Sequence, residues 1–128
     1  PIPAGDDEPL VPEEKAVCEG GALTATQAFE VLSDGAVAAI AIDTRGLKDY
    51  EAGHIPGAQL ISTADDEFDE KLDALSRDVT YVVYCRRGNV SQGVVKQMLD
   101  MDFKHVCHIG SGFYGWQSEG LPVEKGGA

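Results

Sequence analysis

The sequence predicts an α/β domain in which helices cover a parallel sheet. Short apolar runs, which are typical of buried strands, alternate along the chain with segments whose apolar residues recur at helical spacing. This alternation indicates parallel strands that are joined by helices. The chain has 128 residues and 43% of them are hydrophobic, so we expect a single domain with its own core.

The N-terminal residues 1–14 are expected to form an extended lead-in to this domain. They contain four prolines and five acidic residues, and they offer little apolar surface to bury. The predicted domain therefore comprises residues 15–128. No apolar stretch approaches the roughly 18 residues of a membrane span, and no signal-peptide pattern is present. The chain begins with Pro1, so the compartment is not fixed, although the cytoplasm is favoured over the periplasm.

The predicted elements follow from caps, glycines and apolar spacing. Thr24 and Gln27 have the spacing of a capping box, and the helix that they begin should end before Gly35. Ser91 is predicted to cap a later helix that ends at Met101. The other predicted elements are strands at 37–42, 58–61, 81–84 and 106–109, a helix at 66–75, turns with a short helix at 43–57, and a short helix around Trp116.

The charge of the chain excludes one class of partner. The net charge is −12, and ten Lys and Arg residues are spread along the sequence, so there is no basic face for nucleic acid. The acidic residues concentrate at 6–14 and 65–73. We interpret both tracts as solvated surface, and a docking surface for a basic protein is the alternative.

The three cysteines predict one reactive thiol. Their odd number and irregular spacing argue against a disulfide framework, and no Cys-x-x-Cys or Cys/His pair suggests a zinc site. Cys85 is the candidate nucleophile, and Cys18 and Cys107 are expected to be packing thiols. Cys85 ends a buried strand and precedes a helix, beside unpaired N–H groups and the positive end of the helix dipole. Arg86 and Arg87 follow it, so a thiolate and an anionic substrate are expected.

Four segments of the chain resemble the rhodanese-like family of single-domain sulfurtransferases, from about Leu23 to Val123. They are 43–45 with 50–58, 82–91, 113–116 and 120–123. The resemblance implies a five-stranded parallel sheet that is flanked by helices on both faces. It also implies that Cys85 carries a persulfide and that no metal or organic cofactor is needed.

The loop after Cys85 and two other segments supply the remaining candidate residues. The expected substrate-binding residues are Arg86, Arg87, Gly88, Asn89, Val90 and Ser91. One of the two arginines is expected to bind the anionic donor and the other to face solvent, while Asn89 is either a pocket donor or a turn residue. Asp43 and Arg45 are expected to be a structural pair near the strand end, with a catalytic role as the alternative. A place at the pocket mouth is a further alternative for Asp43. His54 is expected to anchor its loop, and His105 and His108 to be packing or surface residues.

These residues, together with the resemblance to rhodanese-like sulfurtransferases, lead us to expect a thiosulfate sulfurtransferase. Sulfane sulfur would pass from a small anionic donor through Cys85 to a thiol or cyanide, or to a sulfur-accepting protein. The alternative is a protein-to-protein sulfur relay or binding module with little activity on free thiosulfate. Phosphatase activity is not expected, because the loop from Cys85 to Val90 has six residues and Ser91 stands where the longer phosphatase-type loop has an arginine.

Overall fold

The computed structural model describes residues 18–35 and 37–126. The predicted lead-in at residues 1–14 lies outside the described residues, so the boundary at residue 15 stays a prediction. Within the part of the chain that is described, no helix has the length and apolar character needed to cross a bilayer.

Five strands form one parallel sheet, as the sequence and the resemblance predicted. They are β1 (Ala22–Leu23), β2 (Ala39–Asp43), β3 (Gln59–Leu60), β4 (Thr80–Tyr84) and β5 (Val106–Ile109). Their order across the sheet is β1-β5-β4-β2-β3. The three central strands are in register so that Val83 of β4 lies between Ile42 of β2 and His108 of β5. The carboxyl ends of β2, β4 and β5 therefore meet at one edge.

Helices cover both faces of this sheet. They are α1 (Ala25–Ser33), α2 (Leu47–Ala52), α3 (Phe68–Asp73), α4 (Asn89–Asp100) and α5 (Gly112–Ser118). Successive strand residues face opposite sides. Val82 packs in the core cluster that contains Ala28 of α1 and Trp116 of α5. Val83 packs in the second cluster, which contains Leu72 of α3 and Met98 of α4.

The start of α1 matches its prediction. The hydroxyl of Thr24 accepts a hydrogen bond from the backbone N–H of Gln27 at 3.1 Å, and the Gln27 side chain accepts one from the Thr24 N–H at 2.9 Å. Both bonds of the capping box are therefore present and satisfy N–H groups that the helix leaves free.

The start of α4 differs from its prediction. The helix begins at Asn89 after Gly88, which is left-handed with φ 99°, so Ser91 is the third residue of the helix and does not cap it. The left-handed turn at Gly88 directs the chain into the helix three residues earlier than a cap at Ser91 would. Ser91 is fully buried as a result, and its hydroxyl lies inside the loop.

The prediction of two packing thiols is wrong, because Cys18 and Cys107 form a disulfide with their Cα atoms 4.9 Å apart. Their separation of 89 residues gives no local signal of pairing. The fold supplies it, because the segment that leads into β1 runs beside β5 and the N–H of His108 donates to the Gly21 carbonyl at 3.1 Å. Cys85 is the free cysteine among the described residues.

Candidate active site

Cys85 lies at the carboxyl edge of the sheet, directly after β4 and before α4. Its backbone carbonyl accepts a hydrogen bond from the N–H of Phe113 at 2.8 Å, and the carbonyl of Arg86 accepts one from Tyr114 at 3.1 Å. The first turn of α5 therefore holds the loop after Cys85. The Cys85 side chain is buried inside this loop, and the residue is 5% exposed.

Hydrogen-bond donors converge on the sulfur of Cys85. The backbone N–H of Gly88 lies 3.0 Å from Sγ, and the N–H of Ser91 lies 3.3 Å from it. The Ser91 hydroxyl oxygen is 3.5 Å from the same atom. Convergent N–H groups at a helix start favour an anion, so this arrangement suits a thiolate or a persulfide.

The pKa of the Cys85 thiol reflects two opposing effects. Burial by itself raises the pKa, and the hydrogen bonds from the Ser91 hydroxyl and from the backbone N–H groups of Ser91, Gly88 and Val90 lower it. The hydrogen bonds outweigh burial, and the pKa lies below its usual value. The loop donors therefore favour the thiolate form of Cys85.

Two glycines allow the close contacts around the loop. A Cβ on Gly88 would lie 2.1 Å from the Gly110 carbonyl oxygen, and a Cβ on Gly112 would lie 2.4 Å from the Arg86 carbonyl oxygen. Both glycines also have positive φ, 99° and 65°. Any other residue at either position would face strain and a collision at once.

Arg86 and Arg87 lie at the exposed mouth of the site. The Arg86 side chain is 72% exposed and forms an ion pair with Asp49 of α2. The guanidinium of Arg87 lies over the ring of Tyr114, 4.8 Å from its centroid. Each arginine therefore has a partner on a neighbouring helix, and which of them meets a substrate stays a prediction.

The other two loop candidates open α4 and are exposed. Asn89 is the first residue of the helix, and Val90 is 49% exposed. The side chain of Val90 offers no hydrogen-bond donor, but its N–H group contributes to the environment of the Cys85 sulfur. Val90 thus lies at the mouth with an exposed apolar side chain and a backbone N–H group near the sulfur.

Asp43 and Arg45 form a buried pair that braces the end of β2. The guanidinium donates three hydrogen bonds to the carboxylate, from Nε to Oδ1 at 3.0 Å, from Nε to Oδ2 at 3.2 Å and from Nη2 to Oδ2 at 2.7 Å. Nη2 also donates to the Gly53 carbonyl at 2.6 Å, and the hydroxyl of Tyr84 donates to Asp43 Oδ2 at 2.8 Å. These contacts are those of the expected structural pair.

His54 has the contacts expected of a loop anchor. Its Nδ1 lies 2.7 Å from the Tyr50 carbonyl oxygen, and its ring stacks on the Tyr50 ring at 3.8 Å. Its backbone exchanges two hydrogen bonds of 2.8 Å with Glu124. The imidazole is held by these contacts between the α2 loop and the C-terminal segment.

His108 is the residue of the site that the sequence analysis missed. It is 7% exposed, and its Nδ1 lies 3.0 Å from the hydroxyl oxygen of Ser91, which in turn contacts Cys85. His105, by contrast, is exposed. The sequence contained one signal for this position. Side chains alternate along β5, so His108, near the carboxyl end of the strand, shares a face with the fully buried Val106 and is expected to be buried as well.

No group of three or more His, Cys, Asp or Glu side chains within residues 18–35 and 37–126 is placed to hold a metal ion. The polar groups around Cys85 are hydrogen-bond donors, and donors of this kind suit an anion. The chemistry that the site can perform is therefore attack by a thiolate and stabilisation of the negative charge on sulfur.

Known proteins resemble this chain in sequence and in fold. The family model of the Rhodanese-like domain matches residues 24–119. The chain is 27% identical over 103 residues to the thiosulfate sulfurtransferase GlpE of Pseudoalteromonas translucida, covering 75% of this chain and 88% of that protein.

Two solved structures extend the comparison. The solution structure of the Rhodanese-like domain from the Anabaena protein Alr3790 has a TM-score of 0.71 and 25% identity, over 81% of this chain and 78% of that one. A Rhodopseudomonas palustris protein described as a possible tyrosine phosphatase has a TM-score of 0.66 and 29% identity, over 81% and 84%. With the family match across residues 24–119, these findings confirm the resemblance seen in the sequence, and the chain belongs to the Rhodanese-like domain family.

Proposed function

We propose that this chain is a sulfurtransferase that carries sulfane sulfur as a persulfide on Cys85. Thiosulfate or a similar anion is the donor, and a thiol or cyanide is the acceptor. The observation that carries this proposal is the set of donors around Cys85 Sγ, with the N–H groups of Gly88 and Ser91 at 3.0 and 3.3 Å.

The first half-reaction uses these donors directly. The Cys85 thiolate attacks the outer sulfur of thiosulfate, the sulfur–sulfur bond of the donor breaks, and sulfite leaves with the electron pair. The product is a persulfide anion on Cys85. The total charge is conserved: thiosulfate carries two negative charges and the thiolate one before the step, and sulfite carries two and the persulfide one after it. The N–H groups that stabilise the thiolate are in place to stabilise this second anion.

The second half-reaction returns the thiolate. An acceptor such as cyanide attacks the outer sulfur of the persulfide, thiocyanate forms, and Cys85 leaves as the thiolate. Because Cys85 is a good leaving group when its pKa is low, the same donors assist both steps. A covalent intermediate shared by two half-reactions predicts ping-pong kinetics.

The arginines at the mouth support an anionic donor. Arg86 and Arg87 are exposed beside a buried thiolate in a chain whose net charge is −12. At physiological ionic strength, charges farther away than about 8 Å are screened, so the local guanidinium groups dominate what a small anion meets. Thiosulfate would displace or share the contacts that Asp49 and Tyr114 now make.

A sulfur relay between proteins is the second candidate, and those same contacts favour it. Because Arg86 pairs with Asp49 and Arg87 stacks on Tyr114, a small anion must compete for each guanidinium. Exposed apolar side chains also surround this edge of the sheet, and they would fit a protein surface better than thiosulfate. They are Leu47, Val90 and Tyr114. In this reading the acidic tract 65–73, in which Asp66, Glu67 and Glu70 are exposed, is the docking surface.

Steady-state rates with two donors separate these candidates. The donors are thiosulfate and a protein-bound persulfide on a purified cysteine desulfurase, and cyanide is the common acceptor. A higher kcat/KM with thiosulfate supports the enzyme. A higher value with the protein donor that falls in the triple variant Asp66→Asn, Glu67→Gln, Glu70→Gln supports the relay, and absence of turnover with both donors contradicts both candidates.

A further inference from the structure

A buried hydrogen bond joins β5 to the helix that carries the active-site loop. The Nδ1 atom of His108 lies 3.0 Å from Oγ of Ser91, and Ser91 is fully buried while His108 is 7% exposed. The same Oγ lies 3.5 Å from Sγ of Cys85. The three side chains therefore form a continuous line from the imidazole to the sulfur.

The single proton of the Ser91 hydroxyl cannot serve every acceptor near it. Cys85 Sγ lies at 3.5 Å, the Gly88 carbonyl oxygen at 3.4 Å and His108 Nδ1 at 3.0 Å. If Nδ1 carries a lone pair, it is the nearest acceptor and takes the Ser91 proton. If Nδ1 carries a hydrogen, it donates to Oγ, and the Ser91 proton is then available to the sulfur.

The surroundings of His108 keep the imidazole neutral. Ala22 and Val83 lie beside His108 in the neighbouring strands, and Ser91 of α4 contacts its ring. Among these described elements, the titratable group that is connected to His108 is the Cys85 thiol, through Ser91. Burial lowers the pKa of His108. The state of His108 that affects the sulfur is therefore which of its two neutral tautomers, Nδ1–H or Nε2–H, is present.

We propose that His108 is a positioning residue for Cys85, which donates from Nδ1–H to Ser91 so that the Ser91 hydroxyl donates to the sulfur. A negative charge on the sulfur attracts the Ser91 proton and so favours the Nδ1–H tautomer. His108 acts through Ser91 and does not touch the sulfur. The inference rests on the proposed role of Cys85, but it can be tested on the thiol without sulfur transfer.

Two substitutions separate a hydrogen-bond role from a packing role. His108→Asn keeps an N–H donor near the position of Nδ1 but cannot change its protonation state, whereas His108→Leu removes the donor. Without Nδ1–H, the Ser91 hydroxyl is no longer oriented toward the sulfur and can donate to the Gly88 carbonyl instead. Loss of the Ser91 hydrogen bond to the charged sulfur weakens thiolate formation by roughly tenfold. We therefore expect His108→Leu to slow alkylation of Cys85 by iodoacetamide about tenfold near neutral pH, and His108→Asn to stay within about twofold of the unmodified chain.

The pH dependence of alkylation provides the required readout. In His108→Leu the rate profile should shift to higher pH with its maximum unchanged, because the thiolate itself is intact. In a Ser91→Ala background, His108→Leu should have no further effect on the alkylation rate, since the hydroxyl that connects His108 to the sulfur is already absent. An equal slowing in the Asn and Leu variants, or an equal effect of His108→Leu with and without Ser91, would overturn the proposal.

The unmodified chain offers a second test that does not depend on variant folding. Imidazole ¹⁵N chemical shifts distinguish the two neutral tautomers of His108. We expect Nδ1–H above the pKa of Cys85, and Nε2–H under the same conditions would overturn the proposal. Absence of a persulfide together with the Nδ1–H tautomer would contradict the proposed function alone.

Discussion

Gly88 and Gly110 are in direct backbone contact, since a Cβ on Gly88 would lie 2.1 Å from the carbonyl oxygen of Gly110. Gly88 belongs to the loop after Cys85, and Gly110 follows β5. This contact fixes the distance between the loop and the end of the neighbouring strand. The N–H of Gly88 is thereby held 3.0 Å from the Cys85 sulfur.

Replacing Gly88 with Ala should damage both the fold and the site. The left-handed conformation alone costs about 1–2 kcal/mol for a residue with a Cβ, and the collision with Gly110 adds to it. We predict a free energy of unfolding lower by at least about 2 kcal/mol and a persulfide yield lower by at least tenfold. Denaturant unfolding and intact-mass spectrometry measure the two effects.

Gly120→Ala is the matched control for this prediction. Gly120 also has a positive φ of 70°, but a Cβ there would meet no heavy atom within 4 Å. It should lose only the conformational cost of about 1–2 kcal/mol and keep its persulfide yield. A Gly88→Ala variant that behaves like Gly120→Ala would show that the contact with Gly110 does not shape the site.

The arginines at the mouth should affect donor binding more than sulfur release. If one of them binds thiosulfate, replacing it with Ala should raise the thiosulfate KM about tenfold, and the rate of persulfide transfer to a neutral thiol should change less. Lys104→Ala, near the amino end of β5 at the opposite edge of the sheet, removes the same charge without touching the site. Wild-type KM in Arg86→Ala, Arg87→Ala and the double variant would place both arginines outside donor binding.

The Cys18–Cys107 disulfide should determine how many thiols react and how stable the chain is. The chain purified without reductant should show one reactive thiol after unfolding, and three after reduction. Because the bond closes a loop of 89 residues, losing it should lower the free energy of unfolding by about 4–5 kcal/mol. Cys18→Ser, Cys107→Ser and the double variant should be destabilised equally, and three thiols before reduction would contradict the bond.

The size of the loop predicts selectivity for sulfur over phosphate. The chain should not hydrolyse aryl phosphates between mildly acidic and mildly basic pH, although one structurally similar protein is described as a possible tyrosine phosphatase. A residue inserted after Asn89 would rotate Ser91 by about 100° around α4 and move its N–H and hydroxyl away from Cys85. The insertion should therefore reduce the persulfide yield.

Val90→Arg is the control for loop size, because it adds a guanidinium at an exposed position without changing loop length. It should keep the persulfide and remain inactive on aryl phosphates. Phosphate release by the unmodified chain, or a full persulfide yield in the insertion variant, would show that loop size does not select sulfur here.

Local patterns in the sequence predicted most of the fold. The capping box at Thr24 and Gln27 and the apolar run 106–109 gave the start of α1 and the bounds of β5, because both signals are contained in a few neighbouring residues. The predicted start of α4 was three residues late, with the cap at Ser91 instead of Gly88. A serine before an apolar stripe looks like a cap, and the left-handed turn at Gly88 has no apolar pattern.

The features that the sequence analysis missed depend on strand pairing. Cys18 meets Cys107 because the segment before β1 runs beside β5, and His108 meets Ser91 because β5 packs against α4. Strand order and register determine both contacts. The spacing of residues does not show that Cys18 meets Cys107, and the alternation of β5 indicates that His108 is buried but not that it meets Ser91. The loop donors around Cys85, by contrast, were foreseeable from a strand–loop–helix pattern that contains a glycine.

The central claim, that Cys85 carries the sulfur, is tested most directly by intact-mass spectrometry after incubation with thiosulfate. The account predicts a mass gain of one sulfur atom, mapped to Cys85 by peptide analysis. The gain should be absent in Cys85→Ser and present in the double variant Cys18→Ser, Cys107→Ser, which lacks the disulfide. No gain in the unmodified chain, or a gain that survives Cys85→Ser, would contradict the account.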